Sequence, residues 1–162
     1  MGIKVTKSSI AEWIAVTQGK DLSIPLTLHT TSGSMLPAIR MNEDTVVVLP
    51  CGAEDVRPGD IVLVRKPDSP AGVLLHRLYH IGNGRIVTLG DNMRETDREE
   101  SADMLLGRAV SITGPGRCID CESRWRRMQG KLIVCTYRLR PILFFMRRVL
   151  RHFWRNTWKH RT

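Results

Sequence analysis

Two short segments of this sequence carry side chains that together could perform acyl transfer. Ser34 lies in residues 32–37, SGSMLP, beside Gly33, which has no side chain to obstruct a substrate. A serine hydroxyl attacks a carbonyl carbon efficiently only when a base removes its proton. His76 lies in the apolar run 73–81, where a neutral imidazole is a suitable general base. The chemistry that these residues predict is nucleophilic catalysis by an activated serine.

Two acidic residues follow the apolar run that contains His76. Asp91 belongs to Gly-Asp-Asn at 90–92, and Asp97 follows in a charged segment. A carboxylate hydrogen-bonded to the imidazole would fix its tautomer and stabilise its protonated form. Spacing alone does not decide which aspartate does so. It also does not separate His76 from His80, because residues four apart in a strand lie on the same face.

A mainly β domain is needed to bring these residues together. Alternating or continuous apolar patterns predict strands over 22–28, 45–49, 61–64, 73–81, 85–89 and 105–112. Gly82-Asn83-Gly84 predicts a hairpin, which would bring His76 in one arm close to the acids that follow the other. We predict a short helix over 8–17 in an N-terminal segment, 1–20, and an antiparallel β domain over 21–115.

The formal net charge of +9 is concentrated at the C-terminal end. Residues 1–122 contain 13 Lys or Arg and 16 Asp or Glu, whereas residues 123–162 contain 12 Lys or Arg and no acid. Apolar residues recur among these cations at helical spacing, which predicts a basic amphipathic tail over 116–162. Three partners are open for this tail: an anionic membrane surface, its own domain or another protein, and, least favoured, nucleic acid.

Other sequence features restrict the cofactor and the location. Four cysteines occur without an apolar secretory signal, so free thiols are expected. Cys118 and Cys121 have the spacing of half a zinc site, but no second pair follows, and no metal or cofactor is expected. No run approaches the roughly 20 apolar residues that span a bilayer. We therefore expect a cytoplasmic or peripherally membrane-associated protein.

Taken in order, these segments resemble the type I signal peptidase family. The resemblance is to its Ser-His-Asp branch, typified by the catalytic subunit of the endoplasmic-reticulum signal peptidase and by archaeal and Gram-positive relatives. It covers roughly half the chain and rests on five segments: 32–38 (SGSMLPA), 57–62 (RPGDIV), 76–77 (HR), 88–92 (TLGDN) and 106–108 (LGR). The commoner bacterial branch has Lys where this chain has His76, so the resemblance implies a triad rather than a Ser-Lys dyad.

The resemblance also implies a role for each residue. Ser34 would be the nucleophile, His76 the general base and Asp97 the triad acid, with Asp91 as a second important carboxylate. The Ser32 hydroxyl and the Ser34 N–H would bind the oxyanion. The implied activity is endopeptidase cleavage of a leader, signal or propeptide. An extended polypeptide would dock on the strand before the nucleophile, and the expected substrate contacts are Ile24, Leu26, Leu28 and Met35.

Two other functions and one departure from the family remain. LexA-type repressors use a similar β domain for self-cleavage, but they predict a helix-turn-helix and an Ala-Gly site before the nucleophile. Residues 1–30 are short for that motif, and Ala71-Gly72 follows Ser34. A non-catalytic β binding module is disfavoured because Ser34, His76 and both acids are intact. Members of the branch carry an N-terminal membrane anchor, whereas residues 1–30 are polar or mildly amphipathic.

Overall fold

A computed structural model describes residues 12–13 and 24–137 of the chain. In this part the apolar segments form eight strands, and one helix follows them. The strands are β1 (Leu26–His29), β2 (Thr45–Pro50), β3 (Ile61–Arg65), β4 (Val73–Gly82), β5 (Arg85–Leu89), β6 (Glu100–Ser101), β7 (Leu105–Gly114) and β8 (Arg117–Asp120). The helix is α1 (Arg124–Tyr137), and two single 3-10 turns lie at Ala53–Asp55 and Ala102–Met104.

The strands form one antiparallel sheet in which β7 is central. The order is β1-β2-β7-β3-β4-β5-β6, and β8 also pairs with β7. One edge of β7 pairs with β2, and the other edge is shared by β3 at the start of the strand and β8 at its end. This arrangement confirms the prediction of a mainly β domain with a C-terminal helix.

Alternation along the strands divides the core between the two faces of the sheet. One cluster includes Leu26, Leu28, Val46 and Val48, and it also contains Met35 and Ile39 from the loop after β1. The other cluster includes Val62, Val64, Leu78 and Ile86. Because Met35 and Ile39 are held in the first cluster, packing of the core fixes the loop that carries Ser34.

The observed elements differ from the predicted ones at weakly patterned positions. The first strand begins at Leu26 rather than at residue 22, directly after Pro25, which has no N–H to donate. β6 is only two residues long, and β8 follows a turn that we interpreted as the end of the domain. The sheet therefore continues past residue 115 to Asp120.

Both chain ends are only partly within the described residues. Trp13, which is helical, is buried in the first core cluster and donates from Nε1 to the Ile24 carbonyl at 2.9 Å. The rest of the helix predicted over 8–17, and the apolar periodicity predicted beyond residue 137, lie outside the described residues apart from Glu12. Within residues 12–13 and 24–137, no helix has the length and hydropathy needed to cross a bilayer.

Candidate active site

Ser34 lies in a tight turn between β1 and β2. The Ile39 N–H donates to the Met35 carbonyl at 2.9 Å, and the Leu36 N–H donates to the Gly33 carbonyl at 3.3 Å. Met35 and Ile39 are buried, whereas Ser34 itself is half-buried. The turn therefore anchors its apolar residues in the core and leaves the Ser34 hydroxyl accessible.

His76 lies in β4, opposite Val62 of β3, and only 4% of its surface is exposed. A β-bulge between Leu78 and His80 interrupts the alternation further along the strand. His80 is exposed, so the two histidines occupy different environments. The bulge therefore distinguishes His76 from His80, which their spacing in the sequence could not do.

A continuous hydrogen-bond chain joins Ser34, His76 and Asp97. The His76 Nε2 atom is 3.0 Å from the Ser34 Oγ, and Nδ1 is 2.6 Å from the Asp97 Oδ2. Thr88 in β5 donates its hydroxyl to the same Asp97 oxygen at 2.6 Å, and the Asp97 N–H donates to the Thr88 carbonyl at 2.8 Å. Two bonds to Thr88 thus fix Asp97 against the end of β5, beside the imidazole.

The surroundings of Asp97 keep its carboxylate charged. Burial by itself would raise the pKa of Asp97, but the hydrogen bonds from His76 and Thr88, with the charges of His76 and Lys66, hold that pKa below its ordinary value. Because an ionised carboxylate only accepts hydrogen bonds, the proton of a neutral His76 lies on Nδ1. The Nε2 lone pair then faces the Ser34 hydroxyl, as removal of its proton requires.

Asp91, the other candidate acid, pairs with Arg77 instead of His76. Arg77 donates from Nε to Asp91 Oδ1 at 2.7 Å and from Nη2 to Oδ2 at 2.6 Å. Both side chains are buried, and the fork geometry satisfies both carboxylate oxygens. The structure thus places Asp97 on the histidine and Asp91 on the neighbouring arginine.

Gly90 and Asn92, on either side of Asp91, contact the turn that carries Ser34. A Cβ at Gly90 would lie 2.9 Å from the Ser34 carbonyl oxygen and 3.2 Å from His76 Nε2, so only glycine fits without displacement. The Asn92 N–H donates to the Ser34 carbonyl at 2.8 Å, and its side-chain amide donates to the Gly33 carbonyl at 3.3 Å. Residues 90–92 therefore hold the backbone of the serine in place.

The two groups expected to bind the oxyanion contact each other. The Ser34 N–H donates to the Ser32 Oγ at 3.2 Å, on the exposed side of the turn. The Ser32 hydroxyl therefore acts as an acceptor in this arrangement. It would have to release the Ser34 N–H before both groups could donate to a substrate oxygen.

The expected substrate contacts are in two different environments. Leu26, Leu28 and Met35 are buried in the core, whereas 39% of Ile24 is exposed. Within the described residues β1 pairs only with β2, so its other edge has free backbone groups. The backbone of β1, rather than its leucine side chains, is the part that an extended chain could contact.

Sequence reasoning missed several residues that surround Ser34. Thr88 supports Asp97, and its signal is a polar residue in the otherwise apolar strand segment RIVTL. Leu36 and Met93 are large apolar residues that stay exposed, and the Met93 Cγ lies 2.5 Å from the position of a Cβ on Gly90. Their exposure near Ser34 depends on the fold, and no pattern in the sequence could have indicated it.

A cavity of about 810 Å³ lies behind the site, between α1 and the sheet. Arg77 and Asp91 line it, together with apolar residues such as Ala109, Ile112 and Ile133. Burial raises the pKa of the Cys121 thiol, also in the lining, to about 11. Among the described residues, no three His, Cys, Asp or Glu side chains are grouped to hold a metal ion.

No protein-family model matches this chain, and no curated protein is significantly similar to it. Its function is therefore inferred from the geometry of the site and from the motifs that form it.

Proposed function

We propose that this protein is a serine endopeptidase of the signal peptidase I type, which cleaves a leader, signal or propeptide from a polypeptide. The observation that carries the proposal is the hydrogen-bond chain from Ser34 through His76 to Asp97. The three residues come from the turn after β1, from β4 and from the segment after β5. Their hydrogen bonds run from hydroxyl to imidazole to carboxylate, which is the order in a catalytic triad.

The reaction proceeds in two acyl-transfer steps. His76 Nε2 accepts the hydroxyl proton as Ser34 Oγ bonds to the scissile carbonyl carbon, and the carbonyl oxygen becomes an oxyanion. The C–N bond then breaks, and the imidazolium gives its proton to the leaving amine. Water attacks the acyl-enzyme with His76 again as base, which releases the new carboxyl terminus and restores Ser34. Asp97 stabilises the imidazolium in both steps and keeps its own negative charge.

The substrate is an extended polypeptide segment added to the free edge of β1. Strand addition supplies backbone hydrogen bonds without a sequence requirement. Leu36 and Met93, exposed near Ser34, offer apolar contacts to side chains that flank the scissile bond. The peptidase reaction requires no metal or organic cofactor.

Cleavage of candidate leader peptides, followed by mass spectrometry, tests the activity. Wild-type protein should give one new carboxyl terminus, and Ser34→Ala should reduce the rate by about 10⁴-fold or more, because no hydroxyl remains to form the acyl-enzyme. Ser32→Ala, two residues away, serves as a matched control with a smaller loss of about 10²-fold, as for removal of one oxyanion donor. Equal rates for wild type and Ser34→Ala would exclude the proposed nucleophile.

For the C-terminal segment we propose an anionic membrane surface as the partner. Residues 123–162 contain no acid, and Trp125 and Leu132 of α1 are 61% and 62% exposed beside Arg124 and Lys131. Exposed apolar side chains among cations are typical of helices that lie on anionic bilayers. Such binding would make the protein peripherally membrane-associated.

Vesicle sedimentation with the full chain tests this partner. Binding should require anionic lipid, should weaken as salt screens the charges, and should fall in a Trp125→Ser/Leu132→Ser variant. Vesicles of zwitterionic lipid alone provide the control. Equal recovery in the supernatant with both kinds of vesicle would exclude membrane binding.

A further inference from the structure

Helix α1 contacts the β domain at a point where two glycines meet. Gly130 is the only buried residue among those of α1, and it lies against Gly59 in the turn before β3. A Cβ at Gly59 would lie 2.7 Å from the Gly130 carbonyl carbon, and a Cβ at Gly130 would clash with the Gly59 carbonyl oxygen. The two backbones therefore meet without any side chain between them.

The Gly59 carbonyl also accepts a hydrogen bond from Arg77. The Arg77 Nη1 atom is 2.6 Å from that oxygen, and it lies 3.0 Å from the position of a Cβ on Gly130. Since Arg77 is buried and its other nitrogens are paired with Asp91, hydrogen bonds from all three nitrogens hold its guanidinium in place. The contact with α1 thus borders the residue that follows the catalytic histidine.

From Arg77 a short series of contacts reaches the nucleophile. Asp91 accepts both other hydrogen bonds of the guanidinium. The next residue, Asn92, donates its N–H to the Ser34 carbonyl and its side-chain amide to the Gly33 carbonyl. A displacement at Gly130 can therefore reach the backbone of Ser34 through Arg77, Asp91 and Asn92.

A second contact joins the end of α1 to the same loop. The Tyr137 hydroxyl donates to the Arg94 carbonyl at 2.6 Å, and its ring lies edge-on to Tyr79 at 5.5 Å. Elsewhere α1 lines the 810 Å³ cavity rather than packing closely on the sheet. The helix therefore contacts the segment from Gly90 to Asp97 indirectly through Gly130 and directly through Tyr137.

We propose that α1 is a positioning element for catalysis. The contact between Gly130 and Gly59 fixes the positions of the Arg77 and Asp91 side chains. Through Asn92, these residues hold the Ser34 hydroxyl within hydrogen-bond distance of His76. This inference rests on the proposed peptidase function for its kinetic test. Gly130 touches no substrate and acts only through these residues.

Gly130→Ala in the full chain tests the proposal. Alanine is the better helix former, so a loss of activity cannot come from weaker helix propensity. The added methyl should lift α1 from Gly59 and lower kcat by about 10²-fold, the cost of a small misplacement of catalytic groups, with KM within about 3-fold of wild type. Met128→Ala is the matched control, because Met128 is 54% exposed on the same helix and should leave both constants unchanged.

Amide hydrogen exchange gives a readout that does not depend on peptidase activity. The Asn92 N–H, bonded to the Ser34 carbonyl, should exchange about 10-fold faster in Gly130→Ala, while the amides shared by β2 and β7 keep their protection. If wild-type protein cleaves no peptide but Gly130→Ala shows this exchange pattern, the proposed peptidase function is excluded, and the coupling between Gly130 and Asn92 is supported. Unchanged exchange at Asn92 in a folded Gly130→Ala variant would overturn the coupling.

Two more variants test the same contacts, and the first of them keeps the proposal testable if Gly130→Ala does not fold. Tyr137→Phe removes the hydrogen bond to Arg94 and should raise exchange at Asn92 by a few-fold; no change would count against α1. Arg77→Lys keeps the charge but cannot reach Gly59 and both Asp91 oxygens together. If Gly130→Ala and Arg77→Lys disturb the same series of contacts, the double variant should lose no more activity than the less active of the two single variants. A double variant whose loss equals the product of the two single losses would show that the substitutions act independently and would refute the proposed series.

Discussion

His76 and Arg77 are consecutive residues of β4, and each pairs with an aspartate from the segment after β5. Their side chains leave the strand on opposite faces, so one pair contacts Ser34 and the other contacts α1 through Gly59. The side chains of Arg77 and Asp91 are 6% and 3% exposed, whereas Asp97 of the histidine pair is 22% exposed. The same hairpin thus builds a reactive pair and a closed pair one residue apart.

The difference between the two pairs lies in the base. Imidazole has a nitrogen that can accept a proton and give it back, so the His76–Asp97 pair can take part in proton transfer. Guanidinium stays charged, so the Arg77–Asp91 pair can fix geometry but cannot transfer a proton. Three substitutions can separate the role of the His76–Asp97 pair from that of the Arg77–Asp91 pair, and the largest effect is expected at Asp97.

Asp97→Asn should remove catalysis and leave the fold almost intact. An amide can hold the imidazole in the wrong tautomer and cannot stabilise its charged form, so kcat should fall by about 10³- to 10⁴-fold. The measurement is peptide cleavage, with thermal unfolding to show that the protein remains folded. A variant that keeps more than a tenth of the wild-type kcat would show that Asp97 is not the orienting acid.

Arg77→Met should differ from Asp97→Asn by a large loss of stability. It leaves the buried Asp91 carboxylate without its partner, which typically costs about 3–5 kcal/mol in the free energy of unfolding. Urea denaturation measures that loss. The double variant Arg77→Met/Asp91→Leu, which removes both charges, should recover part of it. A loss below about 1 kcal/mol for Arg77→Met would mean that the pair is not important for stability.

Thr88→Val should have the smallest effect, and the size of that effect depends on pH. The hydroxyl helps to hold the pKa of Asp97 below its ordinary value of 3.8. A lowered pKa in the folded state contributes stability that is present above pH 3.8 and is lost as the pH falls through the folded value. Valine should therefore lower stability by about 1 kcal/mol at pH 7 and by less near pH 3. Chemical denaturation at the two pH values measures this, and an equal loss at both would contradict it.

The fold was predictable wherever strands keep a regular hydropathy pattern. β3 and β5 have continuous or alternating apolar residues, and they lie within one residue of the predicted bounds. β8 was missed because its residues Arg117–Asp120 alternate weakly and follow a Gly-Pro-Gly turn. A strand of this kind is stabilised by pairing with β7, and pairing partners are not visible in a local pattern.

The site was predictable as a set of residues but not as a set of contacts. Motif order identified Ser34, His76, Asp91 and Asp97, and the structure places two of the other three, Ser34 and Asp97, at the ring nitrogens of His76. The assignment of each aspartate depends on how the chain turns after β5. The burial of Leu26 and Leu28 depends on which face of β1 meets the core, and an alternating pattern does not distinguish a core face from a substrate face.

Among residues 12–13 and 24–137, no strand pairs with the outer edge of β1, and the length of that edge limits how firmly the proposed peptidase could hold a substrate. Alternate residues of an antiparallel strand direct their N–H and C=O groups to the same side, so four residues present only about two pairs outward. Pro25, immediately before the strand, has no N–H with which to lengthen the edge. In the proposed peptidase, so few hydrogen bonds would favour rapid dissociation of the cleaved product, and so short an edge would also disfavour pairing between the β1 strands of two copies.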